Sequence, residues 1–347
     1  MTFFNSTIKI GQDEIGEGKP VYLVAEMSAN HGQDYIKAVE IIHAAKEAGA
    51  NAIKLQTYSA DSLTIDCKTD DFYIKKGPWK GQYMYDLYKS AMMPWEWHVD
   101  LKAEAEKIGL TIFSAPFDAT AVELLQELDF PAMKIASPEL IDLDLIRRAA
   151  NSGKPIIIST GPGTLSEINE AVKVVRETGN QNLCLLKCTS EYPAPYENMH
   201  LRTIPDMKEK YLCPVGLSDH SIGVVVPIAA VALGACMIEK HFVLSREEKT
   251  ADSFFSLTPE EFGLMTRSIR EAEKALGVVS YPQKSDPARR SLYAVNDIAE
   301  GESFTKENVR NLRPGLGLPP KHLNEIVGRK SRRSVKRGEP LYWNMIV

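Results

Sequence analysis

The chain has 347 residues, 44% of them hydrophobic and 25% charged, which is enough to bury a large core and exceeds one typical domain. A net charge of −5 argues against a nucleic-acid partner. The longest apolar stretch, from Val224 to Ile238, is too short for a bilayer and is broken by Pro227 and Gly234, and the N-terminus lacks the basic-then-apolar order of an export signal, so a cytoplasmic protein with no membrane partner is expected.

In chain order, short β-rich runs alternate with amphipathic helical stretches. The runs cover residues 21–26, 51–56, 110–114, 132–137, 155–160, 183–189, 213–219 and 235–242. Helical patterns cover 35–48, 95–108, 119–128, 143–151 and 166–178, several closing at Gly49, Gly109, Gly153 or Gly179, where glycine suits a helix end. Eight β/α units over about 250 residues predict an α/β fold, the closed (β/α)8 TIM barrel rather than an open doubly wound sheet. No Gly-x-Gly-x-x-Gly follows the first run, which speaks against a dinucleotide site. Of the five cysteines, Cys184, Cys188, Cys213 and Cys236 fall in apolar runs, and an odd count without Cys-x-x-Cys predicts reduced thiols.

The runs share apolar bodies with polar tips. In order the tips are Glu26, Lys54 with Gln56, Ser114, Lys134 with Ser137 and Glu139, Ser159 with Thr160, Thr189 with Ser190, Ser218 with Asp219 and His220, and Glu239 with His241. A parallel barrel carries its chemistry on the rim where its strands end. Lys54 and Gln56 share strand parity, as do Glu239 and His241, so each pair can point inward. Lys134 and Ser137 do not, and that segment needs an irregular end. His220 and His241 close successive runs, and two neutral imidazoles on one rim make a candidate divalent-metal site. The lysines and hydroxyls, with the amides of Gly161 and Gly163, could hold a phosphate, while Glu26 and Glu139 could handle protons or sugar hydroxyls.

Between the second run and its helix lies an unusually long connection, residues 58–93, with Trp79, Tyr83, Tyr85 and Tyr88; Trp95 and Trp97 follow. Two readings stand: the rings form a platform for the apolar side of a sugar, or they anchor the loop to the barrel. The barrel is expected to span 1–277, followed by a linker at 278–290 with Pro282 and Pro287, and a small β-rich module at 291–347 with segments at 291–294, 308–310, 330–335 and 340–341. That module carries ten lysines and arginines against six acidic residues, which a solvated basic face explains most simply.

Seven ordered motifs resemble the sialic acid synthase family. They are Ala25-Glu26-Met27-Ser28-Ala29-Asn30-His31, Ile53-Lys54-Leu55-Gln56-Thr57, Phe113-Ser114-Ala115-Pro116-Phe117-Asp118, Lys134-Ile135-Ala136-Ser137-Pro138-Glu139, Cys188-Thr189-Ser190-Glu191-Tyr192-Pro193, Gly216 to Ser221, and Glu239-Lys240-His241-Phe242. Arg313-Pro314-Gly315-Leu316-Gly317 resembles a loop of that family's antifreeze-like (SAF) domain, so the likeness runs nearly end to end. The resemblance implies condensation of phosphoenolpyruvate with an open-chain acetamido sugar and water, releasing phosphate and a nonulosonic acid. It implies a divalent metal, usually manganese, between His220 and His241, where it polarises the sugar aldehyde. Lys54, Lys134, Ser137, Ser159, Ser190 and Ser218 would hold phosphoenolpyruvate. Glu26 would assist water or proton transfer, and Gln56, Phe117, Glu139, Tyr192 and Asp252 would shape the sugar pocket. Arg313 would enter the neighbouring subunit's site in a domain-swapped homodimer.

Ala115 stands where related synthases present a hydroxyl, so that phosphate-binding role is expected to be vacant or to pass to Ser114. Ser190 stands where N-acetylneuraminate synthases have Asn. With Ser28-Ala29-Asn30-His31 and the aromatic loop, it favours the pseudaminic branch, whose sugar is 2,4-diacetamido-2,4,6-trideoxy-L-altrose. The N-acetylneuraminate and legionaminic branches would share the catalytic residues. More distant readings are a Schiff-base aldolase using Lys134 or Lys187, and a noncatalytic sugar-binding protein.

Overall fold

The computed structural model describes residues 3–282 and 288–347, in two compact units, one ending at Gly277 and the other beginning at Val278. Of the expected linker, residues 283–287, including Pro287, lie outside the described residues.

The first unit opens with an element that the sequence pattern does not predict, an antiparallel hairpin of β1 (Thr7–Ile10) and β2 (Asp13–Gly16). Its strands are only four residues long and β2 reads as polar, yet Ile8, Ile10 and Ile15 are buried in the barrel's apolar core. Eight parallel strands follow: β3 (Tyr22–Glu26), β4 (Ala52–Thr57), β5 (Thr111–Pro116), β6 (Met133–Ile135), β7 (Ile156–Ser159), β8 (Leu183–Cys188), β9 (Val215–Asp219) and β10 (Met237–His241). Each pairs with the next and β10 pairs with β3, closing the expected barrel.

Every barrel strand is followed by a helix that lays an apolar stripe on the sheet; the first, Tyr35–Glu47, buries Ala38, Ile41, Ile42 and Ala45. Side chains that satisfy the free amides of the first turn set several of the starts. Asp34, Asp118 and Asp142 accept from amides two or three residues on, and Thr164 with Glu167 and Thr258 with Glu261 form reciprocal caps. Helix ends occur near Gly49, Gly109, Gly153 and Gly179, all with positive φ. No helix among the described residues is long and apolar enough to cross a membrane.

The connection from β4 to the helix Trp97–Lys107 carries structure of its own: a short helix Ala60–Leu63, a bridge between Tyr73 and Tyr83, and the helix Met84–Ala91. In the second unit β11 (Ser291–Ala294) pairs antiparallel with β12 (Val309–Leu312), around a core of Leu292, Ile298, Phe304, Val309, Ile326, Val335 and Leu341. The expected segment at 330–335 contributes isolated bridges, Ser303 to Lys330, Ser331 to Ile346 and Ile298 to Val335, rather than a strand.

Gly216 shows how tightly the barrel interior is filled. A methyl group there would overlap the Met237 carbonyl on β10 and lie 2.8 Å from Leu186 Cδ2. The carbonyl belongs to the neighbouring strand's backbone, so relief requires the ladder to shift. Gly216→Ala is expected to destabilise the barrel by about 1–3 kcal/mol, the usual cost of overpacking, read as a lower urea midpoint by tryptophan fluorescence. An unchanged midpoint would show that the wall has slack.

Candidate active site

Strand register brings four charged side chains into the barrel's C-terminal mouth. Glu26 on β3 pairs with Lys54 on β4 and with His241 on β10, so all three face inward. Lys54 Nζ lies 2.6 Å from Glu26 Oε2, and Gln56 Nε2 donates to Glu26 Oε1 at 2.8 Å. Glu239, two residues before His241, accepts from Lys134 Nζ and from Ser218 Oγ, both at 3.1 Å, with Lys54 at 3.8 Å. Glu26, Lys54, Lys134 and Glu239 are each at most 4% exposed, so the four must neutralise one another.

Their protonation follows from that crowding. Burial pushes the Glu26 carboxyl up to about 7 against the pull of Lys54. Burial also acts against ionised Glu239, but Lys134 and Lys54 outweigh it and hold that carboxyl below its ordinary range. One carboxylate stays charged and the other is poised to exchange a proton.

His220 and His241 lie next to this quartet with ring centroids 5.3 Å apart. The Nδ1 of His220 is 2.8 Å from the Thr189 carbonyl, so Nδ1 carries the donated proton and Nε2 is the nitrogen that could ligate a metal. Burial, reinforced by His220 and Lys54, keeps His241 neutral well below the usual imidazole range. Its Nδ1 has no hydrogen-bond partner, and Asp252 Oδ2 is 3.9 Å away. Burial acts against a charge on His220, but Cys188 and the Thr189 carbonyl outweigh it and raise that imidazole above its ordinary value. His220 must therefore shed its proton before the two buried, facing rings can serve one divalent cation as a nitrogen pair. Among the described residues no cluster of three or more His, Cys, Asp or Glu side chains is arranged to hold a metal, so the protein offers a pair of nitrogens and little more.

A polar cradle lies alongside. Ser159 Oγ, Ser190 Oγ, Glu139 Oε2 and Glu239 Oε2 are all buried without hydrogen-bond partners, an arrangement that a bound polar ligand would satisfy. At Ser137 the chain turns helical (φ −60°, ψ −40°) into a 3-10 turn, supplying the irregularity that strand parity demanded. Gly161 faces this corner: a methyl group on it would meet Ser190 Oγ at 2.5 Å and Ser137 Oγ at 2.6 Å. The amide of Gly163, expected at the phosphate, instead donates to the Thr160 carbonyl at 2.8 Å and is occupied within its turn.

Aromatic rings wall the other side. Tyr192 packs on His220 at 4.3 Å between centroids, Phe255 on His241 at 4.7 Å, and Trp79 from the long connection on Tyr192 at 5.4 Å. Phe117 packs on Tyr58 at 5.3 Å, which meets Tyr88 at 6.2 Å. Asp252 accepts from Ser28, which also receives Gln56 Nε2 at 3.1 Å. Both readings of the loop aromatics therefore have members: Tyr73 with Tyr83, and Trp95 donating to the Tyr58 carbonyl, hold the loop together, while Trp79 reaches the site wall.

One expected residue is placed elsewhere. Ser114 has the wrong parity: it pairs with Leu55, faces the helix layer and bonds Thr57 Oγ1 at 2.6 Å, in a chain that continues to His98. It cannot stand in for the hydroxyl that Ala115 lacks. Arg313 lies in the second unit, exposed, just after β12. Conversely, the sequence reads Glu239 as an inward strand-end residue by its parity with His241 but assigns it no role. Phe255 carries no signal in the sequence, and Ser28 enters only as part of the Ser28-Ala29-Asn30-His31 motif.

The chain matches the model of the NeuB family over residues 41–281 and that of the SAF domain over residues 289–347. It is 44% identical to the pseudaminic acid synthase of Campylobacter jejuni over 93% of this chain and 96% of that one, and 43% identical to that of Helicobacter pylori over 93% and 97%. Among solved structures, the N-acetylneuraminic acid synthetase of Leptospira borgpetersenii in complex with citrate aligns with a TM-score of 0.73 at 32% identity, covering 80% of this chain and 93% of that one.

Two measurements probe the cradle. Gly161→Ala fills the corner between Ser137 and Ser190, so its dissociation constant for inorganic phosphate, measured calorimetrically, is expected to rise roughly tenfold or more, the cost of leaving such groups unpaired. Glu139 supplies the second. Burial raises its acid from 4.5 to about 7, so the stability it contributes is present below 4.5 and lost as pH rises through 7. Glu139→Gln stays neutral throughout, and its unfolding midpoint relative to wild type should climb between pH 5 and pH 8. A pH-independent difference would show that Glu139 does not titrate in this range.

Proposed function

The chain belongs to the NeuB family, and from that membership and the site we propose that it is a pseudaminic acid synthase, condensing phosphoenolpyruvate with 2,4-diacetamido-2,4,6-trideoxy-L-altrose and water to give pseudaminic acid and phosphate. The observation that carries the chemistry is the meeting, at one barrel mouth, of two facing imidazoles, two buried lysines and a cradle of unpartnered hydroxyls.

Lys54 and Lys134 supply the positive charge for an anion, and Ser137, Ser159 and Ser190 the hydroxyl donors around it; Ser218, beside them, would have to turn its hydroxyl from Glu239 to join them. The terminal carbon of the enol attacks the sugar aldehyde, forming the new carbon–carbon bond, and the alkoxide so formed takes up a proton. Water adds to the adjacent enol carbon and gives its proton to Glu26, whose burial keeps it able to exchange one near neutrality. The tetrahedral centre collapses to a ketone as its bond to phosphate oxygen breaks, and its hydroxyl proton leaves with the phosphate. His220 and His241 would hold a divalent cation, manganese in this reading, which supplies Lewis-acid polarisation of the aldehyde. Gln56, Glu139 and Asp252 present polar groups to the sugar, with Phe117, Tyr192 and Trp79 around its apolar parts. A homodimer completes the proposal, with Arg313 of each copy serving the other's site through its planar, bidentate guanidinium.

Three experiments test these assignments. His241→Ala should lose both bound manganese and phosphate release while its circular dichroism stays that of the wild type; full activity in metal-free buffer would sink the cation. Mixed dimers of Arg313→Ala and His241→Ala subunits should recover one working site, and no recovery despite proven mixing would remove the trans arrangement. For the sugar, an enclosed methyl group is worth about 1 kcal/mol and a mismatched, unpaired polar group costs roughly 1–3 kcal/mol. The diacetamido sugar should then exceed N-acetylmannosamine by about a hundredfold in kcat/KM, followed by phosphate release and product mass. Equal turnover of N-acetylmannosamine would move the chain to the neuraminate branch with the phosphoenolpyruvate chemistry intact.

A further inference from the structure

Immediately before each of the two histidines stands a charged residue on the opposite side of the barrel wall. Asp219 precedes His220 at the end of β9, Lys240 precedes His241 at the end of β10, and the two are register partners in the parallel ladder. Successive strand residues face opposite sides, so with His241 in the mouth Lys240 points outward, toward the helix Pro259–Leu276 that carries Glu261. Asp219 and Lys240 are each 1% exposed and their charged atoms lie 2.5 Å apart.

The pair is part of a closed ring around His220. Asp219 Oδ1 accepts from the Ser221 amide at 2.8 Å, a side-chain-closed turn with His220 at its apex. Asp219 Oδ2 also accepts from Ser221 Oγ at 3.1 Å, and Lys240 Nζ donates to the Ser221 carbonyl as well as to Asp219. One ammonium thus grips both ends of the turn that carries His220 and, through its own backbone, the strand that carries His241. It reaches neither the mouth nor the buried quartet.

We propose that Lys240, with Asp219, is a positioning device that sets the gap between His220 and His241 and so fixes the cation site; this rests on the reading of the two histidines as cation ligands. His220 lies one residue beyond the end of β9, where strand pairing no longer holds it; from the inner side its Nδ1 meets the Thr189 carbonyl at 2.8 Å and its carbonyl accepts from the Ala194 amide at 3.0 Å. The Lys240 cross-link adds the restraint from the outer side, tying the turn to β10. Groups that orient metal ligands from behind typically change metal affinity by about 10–100-fold when removed.

Removing one member strands a buried charge, so the informative variant neutralises both: Asp219→Asn with Lys240→Met keeps the turn's acceptor and the packing volume but deletes the cross-link. Manganese affinity without substrate is read by electron paramagnetic resonance, beside kcat, the KM for phosphoenolpyruvate and thermal melting. The expected result is a folded protein whose manganese dissociation constant rises roughly 10–100-fold and whose kcat falls, with KM for phosphoenolpyruvate little changed because Lys54 and Lys134 are untouched. A merely structural role would lower the melting temperature and leave manganese affinity alone, and that outcome overturns the proposal. If the double variant fails to fold, Lys240→Arg decides: it keeps the charge, and its planar fork should still weaken manganese binding. Wild-type affinity in Lys240→Arg overturns the proposal. A wild-type protein that binds no manganese would bring down the reading of the histidines and this inference together, whereas tight wild-type binding that the variants share brings down this inference alone.

Discussion

The site depends on two carboxylates and two ammoniums sharing one dry pocket. Glu26, Lys54, Lys134 and Glu239 come from β3, β4, β6 and β10, and each would be costly to bury alone. Together they sum to no net charge when both carboxylates are ionised, so the mouth can hold all four. That balance constrains any ligand. A phosphate ester that also bears a carboxylate brings several negative charges into a neutral set, and the surplus must be met by a proton on Glu26, by a cation between the histidines, or by both. Binding of such an anion and protonation of Glu26 are therefore linked by electrostatics before any reaction begins, and a cation between the histidines would enter the same balance.

The barrel makes this arrangement possible because its strands sort side chains by parity. Inward positions at the strand ends carry charge and imidazole, while the outward positions one residue away are free for structural work. Asp219 and Lys240 use theirs to tie β9 to β10, and Ser114 uses its own to join Thr57 and His98 under the helix layer. A polar residue at a strand end is therefore ambiguous until its parity is known, and a one-residue shift separates a group that meets ligand from one that only packs.

That ambiguity sets how much is legible in the sequence. The eight strands stand out because each joins an apolar body to a polar tip, and the helices because glycine follows their ends. Inward pairs separated by two residues, Lys54 with Gln56 and Glu239 with His241, are readable from parity alone. Ser114 is misplaced by sequence reasoning because the missing hydroxyl at Ala115 suggests a substitute one residue back, on the wrong face of β5. Gly163 is misplaced because nothing local distinguishes an amide offered to a ligand from one closing a turn. The hairpin β1–β2 is invisible for lack of length, and the order within residues 58–93 because its ring pairs form across the loop.

The same division explains where reaction and selectivity reside. The charged quartet and the histidines sit on strands or at their ends, whose geometry the whole barrel enforces, so the chemistry is held on the rigid part of the fold. The aromatic wall is drawn from connections: Tyr192 after β8, Phe255 after β10, and Trp79 at the far end of a long excursion after β4, where its indole donates to the Ala251 carbonyl at 2.9 Å. That hydrogen bond joins two loops which share no strand pairing, and it brings the Trp79 ring to Tyr192 and hence to His220. A loop can change length or ring without disturbing the barrel's register, whereas a change at Glu26 or Lys54 unbalances four charges at once. A barrel built this way can therefore keep one bond-forming chemistry while its rim is reshaped to accept sugars that differ in their methyl and acetamido groups.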